Sequence, residues 1–254
     1  MKVAAYQAPL HATRSTEIAL GLIREQVERC ELVGVEILCC PEGVLGGLAD
    51  YAARPAEIAI DAEAGELDAL LAPLASDRVA TIVGFTEIGP GGRLYNAAAV
   101  YHRGSVAGIY RKLHPAIRRS VYAAGDETPV FTVGGLTFGI VICRDSNFPE
   151  PARIMASQGA AALFVPTNNG LPPSVAGAEV ATDARNADIA RAAENGVSVV
   201  RADVAGRCGS LESWGSSGIV DHRGVALRSA RRHCPELLVA DIEITSRDPR
   251  RVGA

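Results

Sequence analysis

Gly139-Ile140-Val141-Ile142-Cys143-Arg144-Asp145-Ser146-Asn147-Phe148-Pro149-Glu150 packs three structural events into twelve residues. The run up to Cys143 is continuously apolar, as expected of a strand covered on both faces. Proline followed by an acid at 149–150 suits the first turn of a helix. Between them Cys143 sits at a tight turn. Strand, elbow and helix in that order expose a nucleophile and bring backbone N–H groups close to the reacting atom. A lone cysteine is usually a small buried hydrophobe; the elbow sets this one apart from Cys30, Cys39, Cys40, Cys208 and Cys234.

The rest of the chain repeats the pattern. Short runs rich in Val, Ile and Ala read as strands at 2–7, 35–40, 80–88, 94–102, 106–112, 137–143, 161–166, 197–204, 217–221 and 237–244. Helical spacing predicts helices over 15–32, 63–75, 149–158 and 177–194, the last stopped by Asn195-Gly196. Hairpin punctuation falls at 89–92, 103–104, 134–135 and 223–224. The class is therefore α/β, with a mixed sheet system and helices outside. Without a Gly/Ser linker, charge block or internal repeat, residues 1–254 read as a single domain.

Composition excludes several functions. A net charge of −4 and scattered basic residues give no footprint for nucleic acid or an anionic membrane. No apolar run is long enough to span a bilayer, and the N-terminus turns polar at Gln7, unlike a secretion signal. The six cysteines form no C-x-x-C pair and read as reduced thiols, which points to the cytoplasm. Of 25 basic residues only Lys2 and Lys112 are lysine. A lysine surviving directly after Arg111, in so arginine-rich a chain, suggests a site that needs a compact ammonium.

Two further strand ends carry reactive groups. Leu38-Cys39-Cys40-Pro41-Glu42-Gly43 delivers an acid after a buried strand, and Tyr110-Arg111-Lys112-Leu113-His114-Pro115 delivers the rare lysine. Alone, Glu42 could be a solvated turn acid and Lys112 an edge-strand charge that discourages aggregation. Motifs for zincins, P-loops, dinucleotide folds and serine hydrolases are missing, and the five histidines are not at ligand spacing. A Cys–His hydrolase using His114 is the competing constellation.

Together the three segments resemble the nitrilase superfamily of carbon–nitrogen hydrolases. Its motifs match the P-E-G around Glu42, the R-K-L-H around Lys112 and the C-x-D-x-x-F-P-E from Cys143 to Glu150, in order and spacing. Ala5-Tyr6-Gln7-Ala8-Pro9, Tyr95-Asn96-Ala97, Glu194-Asn195-Gly196 and the segment 215–221 fit as well, so the likeness covers roughly residues 2–244. The resemblance implies a four-layer α-β-β-α sandwich and a homodimer or higher homo-oligomer packed through outer helices, with helix 177–194 contributing. It also implies catalytic roles. Cys143 attacks the carbonyl carbon of a small-molecule substrate, Glu42 is the general base, and Lys112 with the Arg144 backbone N–H holds the oxyanion. That chemistry asks for no metal and no organic cofactor.

Cys143-Arg144-Asp145 is closer to the amidase and carbamoylase branches than to the C-W-E of nitrile hydrolysers. Two positions depart from the family. A second glutamate is usual seven residues before the glycine matching Gly125, where this chain has Arg118, and Ala202-Asp203-Val204 has Asp where Asn is common. Asp126 or Glu127 could substitute for the glutamate. The alternative to an active amide or N-carbamoyl hydrolase is thus a catalytically silent relative that binds a ligand or partner. Asn168 or Asn169, following strand 161–166, is expected to contact substrate, unless the Asn-Gly pair caps its own loop. Residues 171–175 are expected in the pocket wall. Arg118 would favour a substrate carboxylate, because arginine binds carboxylates bidentately.

Overall fold

In the computed structural model, residues 1–62, 65–175 and 177–244 are described. The first half runs β1 (Lys2–Pro9), α1 (Thr16–Val33), β2 (Ile37–Cys39), β3 (Ala59–Asp61), α2 (Glu66–Leu71), β4 (Ala80–Ile88), β5 (Leu94–His102) and β6 (Ser105–Arg111). It continues with β7 (Tyr122–Ala123), β8 (Val130–Val133), β9 (Leu136–Ile140), α3 (Pro149–Ser157), β10 (Ala162–Pro166) and α4 (Ala178–Asn195). The last quarter is β11 (Ser198–Ala202), β12 (Val204–Cys208), β13 (Leu211–Ser213), β14 (Gly218–Val220), β15 (Ala226–Ser229) and β16 (Glu236–Asp241).

These strands build two sheets. One follows the order β13-β12-β1-β2-β4-β5-β6, with β16, β3 and β7 paired to β1, β4 and β5; the other is β15-β14-β11-β10-β9-β8. Alternation along each strand divides the core. Val3, Ala5, Ile37, Cys39, Ala80 and Ile82 meet Phe138, Ile140, Phe164 and Val200 in a core that reaches Met155 and Ala192 of α3 and α4. Their neighbours Ala4, Tyr6, Leu38, Cys40, Val83 and Phe85 pack on Ile23, Val27, Leu67 and Leu71 of α1 and α2. Both sheet faces are covered, which is why the strands read as unbroken apolar runs. The result is the expected four layers, α-β-β-α.

Helix ends follow local chemistry. Ser15 caps α1 by accepting from Ile18 N at 3.3 Å, and Gly34 closes it in the left-handed region. The α2 segment is shorter than its periodicity suggested. It tightens into a 3₁₀ turn at Ala72–Leu74, where Pro73 has no N–H to continue an α-helix. The first two residues expected of that helix, 63 and 64, lie outside the described set.

The largest difference lies at 197–204, expected as one strand. It breaks at Asp203: β11 belongs to the second sheet and β12 to the first. Asp203 therefore stands where the chain crosses between sheets, fully buried. The short strands β3, β7, β8, β12, β13 and β15 were not foreseen. Their runs are too brief or too exposed to show periodicity.

Topology gathers the reactive groups. Strands β9, β10 and β11 are mutually parallel, so Cys143, Asn168 and Asp203 follow carboxyl ends on one edge. In the other sheet β2 runs parallel to β4, and β6 returns to that direction through antiparallel β5. Glu42 and Lys112 thus leave their sheet at the same edge, where functional groups collect in such folds.

Candidate active site

Glu42 is built into place from several sides. Gly84 of β4 lies so close beneath it that an added Cβ would fall 2.4 Å from Pro41 O and 2.8 Å from Glu42 Cα. Glu42 N donates to Thr167 O across the sheets at 3.3 Å. Its carboxylate is buried and hydrogen-bonded at both oxygens. Oε1 accepts from Asn96 Nδ2 at 2.7 Å and Lys112 Nζ at 2.5 Å, and Oε2 accepts from Asn168 N at 3.0 Å. Lys112 is registered by its own N–H donating to Asn96 O at 2.8 Å. Burial alone would lower the Lys112 pKa; Glu42, Cys143 and Asp145 outweigh it and hold the ammonium above its ordinary value.

Cys143 begins a short 3₁₀ turn and has φ +46°, a left-handed conformation uncommon outside glycine. Asp145, fully buried, secures this elbow. It accepts from Ile142 N at 3.1 Å, Tyr110 Oη at 2.8 Å, His114 N at 2.8 Å and the His114 ring at 3.0 Å. One carboxylate therefore ties the cysteine turn to the lysine segment. His114 is stacked on Phe148 with centroids 3.8 Å apart and is occupied by Asp145, which leaves it a supporting contact. Burial and the Glu42 charge push the Cys143 thiol up to about 12, against the pull of Lys112 and Arg201. Both causes favour the neutral thiol.

Behind the elbow is a buried ion pair. Arg201 of β11 donates to both Asp188 oxygens of α4, to Thr167 Oγ1 at 2.7 Å and to Ser146 Oγ at 2.9 Å. Ser146 in turn donates to Cys143 O at 2.8 Å.

Glu42, Lys112 and Cys143 open onto one cavity of about 630 Å³. Its walls are largely apolar, including Leu48, Tyr51, Ile117, Tyr122, Leu171, Pro172 and Val175, with Asp50, Asp183 and Arg144 among the charged residues. The expected wall at 171–175 is thus present through Leu171, Pro172 and Val175.

Asn168 and Asn169 both line the cavity, in different ways. Asn168 caps its own loop as an Asx turn: its Oδ1 accepts from Gly170 N, two residues on, at 3.0 Å, while its Nδ2 donates to Glu42 O at 3.2 Å. It serves Glu42 and its own loop. Asn169 donates to Asp203 through N and Nδ2, both at 3.0 Å, and to Ser216 Oγ at 3.2 Å. Its Oδ1 is 4.0 Å from Cys143 Sγ.

Arg118 is not brought to the site. It is exposed in the turn at 117–120, its neighbours Ala116 and Ile117 line the cavity in its stead, and among the described residues it forms no ion pair with Asp126 or Glu127. Those two acids line a different cavity with Glu87 and Arg111, so they do not replace the missing glutamate. Arg144 is the arginine at the mouth. Its guanidinium lies over the Phe148 ring at 5.9 Å and reaches Ala116 O at 3.4 Å.

Asn96, Asp145 and Arg201 were not assigned roles from sequence. Asp145 lies inside the C-x-D motif, and Asp203 interrupts an apolar run, so both left a trace. Among the described residues no three His, Cys, Asp or Glu side chains gather as metal ligands.

Comparison with known proteins places this geometry. The family model for carbon-nitrogen hydrolase matches residues 2–251. A hydrolase in the pqqF 5′ region of Pseudomonas protegens is 32% identical over 68% of this chain; the matched stretch spans 61% of that protein's length. A nitrilase from Pyrococcus abyssi is 32% identical over 74% of this chain and 69% of its own. An (R)-stereoselective amidase from Pseudomonas sp. is 30% identical over 84% of this chain and 77% of its own. Among solved structures, a Glu-to-Gln mutant of the Nesterenkonia sp. AN1 amidase superposes with a TM-score of 0.78 at 26% identity. It covers 96% of this chain and 93% of that one, and it shows the product of Michael addition of acrylamide at the active-site cysteine.

Proposed function

This chain belongs to the carbon–nitrogen hydrolase family, and on that premise we propose that it hydrolyses a small amide or N-carbamoyl compound through a thioester on Cys143. The observation that carries this is the meeting of Glu42 and Lys112 at 2.5 Å in the cavity that Cys143 lines.

A neutral thiol needs a base at the moment of attack, and Glu42 is that base. The proton passes from Cys143 to Glu42 as sulfur bonds to the carbonyl carbon. Charge moves onto the carbonyl oxygen, where the Lys112 ammonium and the Arg144 backbone N–H stabilise it. The C–N bond breaks as the leaving nitrogen takes the proton from Glu42. Glu42 then removes a proton from water, the hydroxide attacks the thioester, and the sulfur leaves with that proton. An acid is released and the thiol is restored.

Supporting features include the relatives named amidase, the apolar cavity and the fixed elbow. The amide branch is preferred to nitriles because Arg144-Asp145 follows the nucleophile. Six free cysteines are consistent with a reducing cytoplasm, and among the described residues no helix is long and apolar enough to cross a membrane. The proposed assembly is a homodimer through α3 and α4, supported by exposed Ile154 on α3 and Val175 just before α4. Light scattering should then give twice the chain mass.

Rapid-quench mass spectrometry during turnover of propionamide tests the chemistry. The peptide containing Cys143 should carry a propionyl group. Hydrolysis that persists in Cys143→Ala would overturn the assignment.

A further inference from the structure

Among the described residues, no N–H or O–H donates to Asn169 Oδ1. Asn169 N and Nδ2 donate to Asp203, and Nδ2 also donates to Ser216. A carboxylate only accepts, so the Asn169 amide cannot turn over without placing its oxygen against Asp203 Oδ2. Asp203 is itself immobile: it receives Val204 N at 2.8 Å, Ser216 N at 2.9 Å and Ser216 Oγ at 2.6 Å, and is fully buried. The clamp therefore aims Asn169 Oδ1 into the cavity, where it lies 4.0 Å from the Cys143 thiol.

Attack removes that contact. Once Cys143 has given its proton to Glu42 and its sulfur has bonded to the carbonyl carbon, Asn169 Oδ1 has lost the hydrogen that faced it. A substrate with an N–H on the reacting carbon supplies the missing donor. An ester or a nitrile cannot.

We propose that Asn169 Oδ1, aimed by Asp203, accepts a hydrogen bond from the nitrogen of the scissile group, so that the site selects amides and N-carbamoyl compounds that carry an N–H at the reacting carbon over esters and nitriles of the same acyl group. This rests on the thioester chemistry above. Asn169 binds the substrate nitrogen; Asp203 is a positioning residue that acts through it.

The test compares propionamide with 4-nitrophenyl propionate, which shares the acyl group but has no N–H at the reacting carbon. In Asn169→Ala, kcat/KM for the amide should fall about five- to tenfold while the ester stays within about twofold, the scale of one lost neutral hydrogen bond. Asn169→Ser serves if the alanine variant does not fold. Asp203→Asn, or Ser216→Ala if that variant is insoluble, should lower the amide-to-ester ratio in the same direction. An unchanged ratio in a folded Asn169 variant would overturn the inference while leaving the thioester intact. An unchanged ratio in the Asp203 and Ser216 variants would remove the clamp. Wild-type protein showing no Cys143-dependent turnover of either compound would instead sink the underlying chemistry, and this inference with it.

Discussion

Lys112 Nζ lies 2.5 Å from Glu42 Oε1, and both side chains are 3% exposed. Each charge is buried only on condition that the other is present. Breaking such a pair by removing one partner costs about 3–5 kcal/mol. Lys112→Met should therefore lower Tm substantially and abolish turnover. Lys112→Arg keeps the charge but not the shape, and a planar guanidinium does not fit an ammonium's space. It should lose about 10²–10³ in kcat, as expected for loss of an oxyanion donor. Wild-type rates in Lys112→Arg, measured on propionamide, would remove the oxyanion role.

Glu42→Gln tests the base. The amide preserves the shape of the carboxylate but cannot take the thiol proton. A loss of about 10²–10⁴ in kcat is expected, the range for positioned acid–base groups. The protein should still fold, as circular dichroism would show, but with a lowered Tm, because Lys112 loses its buried counter-charge.

The thiol gives a pH prediction. Burial and the Glu42 carboxylate push Cys143 up to about 12, so the neutral form dominates throughout the physiological range. Because the folded value lies above the ordinary thiol value, the neutral thiol's contribution to stability is complete below about 9 and is lost as pH rises through about 12. Peptide-resolved iodoacetamide labelling should find the Cys143 rate rising about tenfold per pH unit from 7 to 10, following the thiolate fraction. A plateau below pH 9 would mean a preformed thiolate and would contradict the assignment of Glu42.

Substrate charge is tested by comparing two arginines. Arg144 lies at the cavity mouth over Phe148, whereas Arg118 is exposed outside the lining. If the substrate carries a carboxylate, Arg144→Ala should raise KM for ω-carboxy amides by up to about tenfold and leave neutral amides within twofold, the scale of a charge-assisted hydrogen bond reduced by solvent. Arg118→Ala should change neither. A carboxylate preference lost in Arg118→Ala would reverse this assignment.

How much of this was legible in the chain depended on whether a residue acts through its own sequence neighbourhood. Cys143, Glu42 and Lys112 each follow closely on a strand, and their local patterns announce them. Long apolar strands and capped helices were readable for the same reason. Asn96 and Arg201 were not, because they work across the fold: Asn96 meets Glu42 54 positions away, and Arg201 meets Ser146 55 positions away. Short strands such as β12 and β13 are defined by their partners rather than by any period of their own. Arg118 shows the converse error. Counting along a motif gives a position in the chain, but the turn at 117–120 presents Ile117 to the cavity and Arg118 to solvent.

Gly84 separates placement of Glu42 from its chemistry. Its missing Cβ lets β4 pass directly beneath the Glu42 turn; an added methyl would meet Pro41 O at 2.4 Å, Gly43 N at 2.7 Å and Glu42 Cα at 2.8 Å. These are backbone atoms and cannot swing aside, so the turn itself must move. Gly43 restricts how it can do so, since it already occupies the left-handed region at φ +54°. Gly84→Ala should cost about 1–3 kcal/mol, the usual penalty for overpacking. It should also lower kcat by about 10², because a displacement of roughly 1 Å at a catalytic group has that effect. Gly21 in α1 is the control. Nothing lies within 4 Å of its added Cβ, so Gly21→Ala should stabilise the helix by up to about 1 kcal/mol with activity unchanged. Thermal melts and propionamide kinetics on the two variants distinguish the cases. If Gly84→Ala keeps wild-type kcat, the close approach of β4 does not position Glu42.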